Sequence, residues 1–155
     1  MRVVVVTDST CLIGLERAGE LQLLPSVFDT IYIPPEVQRE FGRAISWLRV
    51  LAPQDEALVD ALQLSLDDGE AEAVALAREL GCEIILDERK ARAVAERMKL
   101  RCLGTGGLLL RAKSKGVIPL VRPLLDKLEA QGFHASAELR LKILQLAGEA
   151  PAQPT

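Results

Sequence analysis

Residues 67–87, DDGEAEAVALARELGCEIILD, hold a helix, a stop, a strand and a terminal carboxylate in one unbroken run. Asp67-Asp68-Gly69 opens the helix, which extends to Leu80 and is closed by Gly81. Residues 82–86 then form a short apolar strand that stops at Asp87. The same pattern stands at the other end of the chain. Residues 2–6 are a compact β-branched run, the signature of a strand buried on both faces. It stops at Thr7-Asp8-Ser9, where polar residues cap a helix over 10–18 that Gly19 ends.

Between these two units, residues 30–33 read as a second strand. Pro34-Pro35 stops it, and Pro35 suits the first position of a helix running through Glu40. A short helix over 20–24 is expected to break around Pro25, residues 42–53 carry no clear periodicity around Trp47, and 55–64 has helical spacing. Beyond Asp87, Ala91, Val94, Ala95 and Met98 form an apolar stripe on a helix. Residues 101–103 are a brief strand, and Gly104-Thr105-Gly106-Gly107 leads into a helix to Lys115. Residues 118–120 are expected as a fifth strand, followed by helices over 122–130 and 136–147. Strands alternating with helices predict a three-layer α/β/α sandwich on a mainly parallel sheet of four to five strands. One domain is expected over 1–148, with a frayed tail over 149–155.

Composition bounds the function. With 155 residues, 49% apolar and 26% charged, the chain builds a sizeable core and is not disordered. Aromatics are only 3%, which argues against a base-stacking platform for single strands. A net charge of −3 gives no global basic field, so any nucleic-acid contact must come from a local patch or through bound cations. Cys11, Cys82 and Cys102 are odd in number and lack C-x-x-C spacing, which suits buried thiols in a reducing compartment. Cys82 and Cys102 fall on neighbouring strands, which leaves an incidental disulfide under oxidation open. His134 is the only histidine, which excludes multi-histidine metal sites and disfavours a histidine-based triad. The apolar run 3–6 is too short for a signal peptide and no stretch is long enough for a bilayer, so a cytoplasmic protein without membrane contact is expected.

In an open parallel sheet, function gathers beyond the carboxyl ends of the strands. Asp8 and Asp87 hold that position after the first and third strands. Either alone serves equally well as a helix cap, stabilising by about 1 kcal/mol; two at equivalent positions favour a site. Glu40 sits on the helix opened by Pro35, where a solvated face is the plainer explanation. Glu70 lies in the first turn of its helix, where a carboxylate complements the macrodipole. Arg89 and Arg92 follow Asp87 and either hold flanking phosphates or face solvent. Thr105 and its glycines either bind phosphate through backbone N–H groups or permit close helix–sheet packing, and they match neither nucleotide-loop pattern.

Taken in order, Val-Thr-Asp8-Ser-Thr-Cys-Leu-Ile, Ile-Pro-Pro-Glu-Val-Gln-Arg-Glu40, Asp-Asp-Gly-Glu70-Ala-Glu-Ala and Ile-Ile-Leu-Asp87-Glu-Arg-Lys-Ala-Arg resemble a PIN domain, within a prokaryotic subgroup of mostly uncharacterised proteins. The resemblance covers about residues 3–148. It implies a metal-dependent phosphodiester hydrolase, a ribonuclease acting on single-stranded RNA through metal-activated water. Asp8, Glu40, Glu70 and Asp87 would be both catalytic residues and ligands of Mg²⁺ or Mn²⁺. Carboxylate oxygens without His or Cys suit those hard ions. The resemblance further implies the toxin of a toxin–antitoxin pair, with a small antitoxin protein as partner, and a homodimer. Two departures stand out: Ile85 replaces a common Thr or Ser two positions before Asp87, and Glu70 replaces a common aspartate. They motivate the alternative, a non-catalytic binding module with a degenerate acidic site. A haloacid-dehalogenase-like phosphatase lacks its D-x-D here, because Asp8-Ser9-Thr10 has no second aspartate, and a receiver domain would want an adjacent acidic pair after the first strand.

Overall fold

Consecutive valines cannot all face one side of a strand, and Val5 and Val6 are both fully buried, one in each of two separate cores. The computed structural model, which describes residues 2–150, resolves this by placing β1 (Val4–Thr7) at the centre of a five-stranded sheet. Its neighbours are β2 (Thr30–Ile33) and β4 (Glu83–Ile85), with β3 (Leu48–Val50) and β5 (Cys102–Leu103) at the edges. The order is β3-β2-β1-β4-β5 and every pairing is parallel. Thr7 lies opposite Ile85, so the chain leaves β1 and β4 at nearly the same height. The Asp8 N–H, just beyond the strand, donates to the Ile85 carbonyl at 3.2 Å.

Both faces are covered, which makes the expected three-layer sandwich. One face carries α1 (Ser9–Arg17), α2 (Leu23–Val27), α3 (Pro35–Phe41), α7 (Thr105–Ser114), α8 (Arg122–Ala130) and α9 (Ala137–Leu146). The other carries α4 (Glu56–Leu62), α5 (Asp68–Leu80) and α6 (Arg89–Arg97). α5 buries Ala71, Ala73, Ala75 and Ala77 with Val74 and Leu76, and such short side chains let it lie close to β1 and β4. Gly81 ends it in the left-handed region at φ 63°, where a Cβ would be strained. α7 is fixed away from its N-terminus by a paired ion contact, Arg111 to both oxygens of the buried Glu83 at 2.6 and 2.7 Å.

Three local expectations change. The fifth strand is β3, not residues 118–120. Pro119 lacks a donor for a ladder, and Ile118 is instead packed into the core after the turn at Gly116. β3 was hard to read because it is an edge strand burying only Leu48 of its three residues. Pro25 does not break the short helix; it sits in the first turn of α2, where its missing N–H would have had no helical partner. Glu149 is anchored rather than frayed: its carboxylate accepts from the N–H groups of Val121 and Arg122 and from Lys113 Nζ at 2.7–2.9 Å. Ala150 packs against the core, and residues 151–155 of the expected tail lie outside the described residues.

Candidate functional site

Asp8 is where β1 runs out and α1 begins. Its backbone is extended, and its Oδ1 accepts the Cys11 N–H at 2.9 Å, so it does cap α1. A surface residue would suffice for that task, yet Asp8 is only 5% exposed. Burial, and then the charge of Asp87, push its carboxyl from 3.8 up to about 7, against the opposing pull of the Cys11 and Asp87 main-chain N–H groups. Glu70 adds a smaller repulsion. Among the described residues no lysine or arginine forms a salt bridge with Asp8 or Asp87. A buried aspartate near a second one, with no basic side chain paired to either, is a costly arrangement for a mere cap.

Asp87 follows Leu86 and is held from the opposite side of the gap. Its Oδ1 accepts the Thr105 N–H at 2.8 Å and its Oδ2 accepts the Thr105 hydroxyl, so it anchors the first residue of α7. Thr105, expected as a phosphate contact, therefore spends both donors on Asp87. Gly104 is needed here. A Cβ at 104 would stand 2.9 Å from Arg92 Nη1 and 3.3 Å from Asp87 Oδ1. Without it, the Arg92 guanidinium reaches over to donate to the Leu86 carbonyl at 3.0 Å. Arg89 opens α6 and is exposed.

The two glutamates are placed differently. Glu70 is the N3 residue of α5, and it makes a reciprocal capping box: its N–H donates to Asp67 Oδ1 at 2.8 Å and its Oε1 accepts the Asp67 N–H at 3.3 Å. Partial burial raises its carboxyl. Glu40 belongs to an exposed stretch of α3, but its carboxylate end rests on α5. A Cβ at Gly69 would lie 2.1 Å from Glu40 Oε1. Burial first, then Asp67 and Glu36, raise Glu40, and the Ser9 hydroxyl acts against them. The four acids thus form an inner pair, Asp8 and Asp87, and an outer pair on α3 and α5. Among the described residues no three His, Cys, Asp or Glu side chains converge at ligand distance.

Residue-by-residue reading missed two neighbours of the site. Gly69 lets the first turn of α5 meet Glu40; the Asp-Asp-Gly helix start was visible, but not what crosses it. Cys11, one helical turn after Asp8, is buried behind the pair. Burial, Asp8 and Asp87 push its thiol well above its ordinary value, so it stays neutral and is no nucleophile. His134 is exposed in the loop before α9. The other glycines answer a question left open by the sequence: a Cβ at Gly106 would stand 2.5 Å from Ile143 of α9, and one at Gly107 2.6 Å from Leu103. They serve close packing.

By chemistry, the donors suit a hard divalent cation, because they are carboxylate oxygens with no histidine or thiolate among them. Compared with known families, residues 4–149 match a family described as PIN domain, which spans nearly the whole chain. No curated protein matches it. No helix among the described residues is long and apolar enough to cross a membrane.

Proposed function

Because the chain belongs to the PIN-domain family, whose fold is of the nuclease type, we propose that it is a metal-dependent phosphodiester hydrolase acting on single-stranded RNA. The observation that carries this reading is the inner pair. Two aspartates at the ends of adjacent parallel strands are close enough for one to raise the other, and one is buried where its charge is costly. Asp8 and Asp87 would hold Mg²⁺ or Mn²⁺, with Glu40 and Glu70 as further ligands. When bound there, such an ion supplies a water of lowered pKa and neutralises charge on the phosphodiester oxygens.

The chain's own residues do the rest. The sheet fixes the two strand ends, so the inner carboxylates need little rearrangement to act together. Thr105 orients Asp87 through two donors and commits both of its oxygens to defined directions. Arg92, steadied on the Leu86 carbonyl, places a cation beside Asp87 where a substrate phosphate is expected.

The reading extends to what the resemblance implies: the toxin of a toxin–antitoxin pair, a small inhibitor protein, a homodimer and a cytoplasmic location. Isolation from native cells without a small protein attached would count against the inhibitor. A second reading, a binding module without turnover, draws on the lack of a ready three-carboxylate group among the described residues. The test is cleavage of end-labelled single-stranded RNA by wild type and Asp8→Asn, with Mn²⁺ or with chelator. Mn²⁺-dependent cleavage by wild type alone supports the hydrolase; folded, inhibitor-free wild type that never cleaves supports the module.

A further inference from the structure

A groove of about 640 Å³ opens directly beside the inner pair, with Asp87 and Gly104 in its wall. α6 forms one side through Arg89 and Arg92, and α9 forms the other through Lys142. Its lining is otherwise mostly apolar, with the half-buried Leu110 and Phe133, the buried Ile143 and the exposed Leu139 and Leu146. α9 can lie this close only because residue 106 is glycine. A side chain there would collide with Ile143, one residue from Lys142.

The charge of this groove runs against that of the chain. Acidic residues outnumber basic ones 22 to 19 over the sequence. In the groove, three cations face two carboxylates, Asp87 at its mouth and Glu96, which lies 4.0 Å from Arg92. Among the described residues neither Arg89 nor Lys142 is in a salt bridge. Phe133 is one of only five aromatic residues in the chain (three Phe, one Trp, one Tyr). Cations on two sides of an apolar, ring-bearing lining suit a polyanion that carries flat apolar faces. The volume falls within the usual range of small-ligand sites, room for about one or two nucleotides.

We propose that this groove seats the one or two nucleotides of single-stranded RNA that flank the scissile phosphate on the Asp87 side. Arg89, Arg92 and Lys142 hold their phosphates, and the apolar lining around Leu110, Phe133 and Ile143 takes their bases. This rests on reading Asp8 and Asp87 as the place of hydrolysis. A duplex is disfavoured, because its bases face inward and cannot reach that lining. An apolar peptide is disfavoured as well, since it gives the three cations nothing to neutralise.

The test is fluorescence anisotropy of a short fluorescein-labelled single-stranded RNA in chelator, across a range of salt, with melting curves to confirm folding. Lys142→Ala should weaken binding about fivefold and lower the salt slope by about 0.7, the loss of one phosphate contact. Phe133→Ala should weaken binding about tenfold and leave the salt slope unchanged, as loss of a stacking contact does. Lys90→Ala, on α6 but outside the groove, should bind within about twofold of wild type. Lys142→Ala and Phe133→Ala binding like wild type would overturn the inference, as would wild type that binds an acidic peptide but no RNA. Cleavage is scored separately. Groove-dependent binding without Mn²⁺-dependent cleavage keeps the groove as a seat for single-stranded RNA, but sinks the hydrolase and with it the place beside a scissile phosphate. Cleavage with unchanged binding by both variants does the reverse.

Discussion

The inner and outer acids differ in what holds them. Asp8 and Asp87 stand at the ends of neighbouring strands, so the sheet itself sets their separation. Glu40 and Glu70 stand on helices, and Glu70 already has a structural task in the capping box with Asp67. Asp8 also caps a helix, but in a place so buried that its charge weakens the fold. A residue kept where it is costly marks a site, whereas one kept where it is useful needs no other explanation. The inner pair should therefore carry most of the chemistry, and the outer pair should tune it.

The largest effect expected is at Asp8. Asp8→Asn should lower RNA cleavage by roughly 10²–10⁴-fold, since a lost metal ligand costs several kcal/mol of transition-state stabilisation. The same change should stabilise the metal-free protein. Asparagine still caps α1. The folded-state value of Asp8, about 7, lies above its ordinary 3.8, so the folded state favours the protonated form. That contribution is favourable below about pH 4 and is lost as pH rises to about 7. In chelator above pH 7, Asp8→Asn should therefore melt about 4–8 °C higher than wild type, from a gain of ~2 kcal/mol, and the gap should shrink towards pH 4. A variant that melts lower at every pH would make Asp8 a plain structural cap and erase the contrast.

Thr105→Val comes next. It removes the hydroxyl from Asp87 and leaves the main-chain N–H, and outer support of this kind is worth about 10–100-fold in activity or metal affinity. Thr105→Ser should recover most of the loss, which a packing role would not predict. At Gly69, alanine suits a helix better by about 0.5–1 kcal/mol, but its Cβ would displace the Glu40 carboxylate. Gly69→Ala should leave melting unchanged or slightly raised while cleavage falls about fivefold, because only an outer carboxylate is displaced. The smallest effect belongs to Glu70→Gln, because glutamine preserves the capping box. It should keep the melting temperature and lose less than about threefold in cleavage. If it falls as far as Asp8→Asn, the division into inner and outer acids fails.

How much of this was legible differs along the same line. The α/β alternation, the central strand and the ends of β1 and β4 could be read because burial on two faces leaves unbroken apolar runs, and Asp8 and Asp87 end those runs. β3 could not, since an edge strand with one buried residue has no such run. Residues 118–120 resemble a strand in apolar content alone, although Pro119 offers no donor to a ladder and Ile118 packs into the core from a loop. The site shows the same split. That Asp87 ends a strand is local information; that Thr105 holds it from eighteen residues away is not. Gly69 looks like helix-start chemistry in one dimension, and only the crossing of α3 over α5 makes it a clearance for Glu40. Long-range contacts of this kind leave no periodic trace.

The claim at the centre is that the inner pair binds a divalent cation. Calorimetric titration with Mn²⁺ tests it without depending on any substrate. Wild type should bind, Asp8→Asn should lose binding by at least about 100-fold, and Glu70→Gln should stay within about tenfold of wild type. Binding of Mn²⁺ by Asp8→Asn with the affinity of wild type would contradict it.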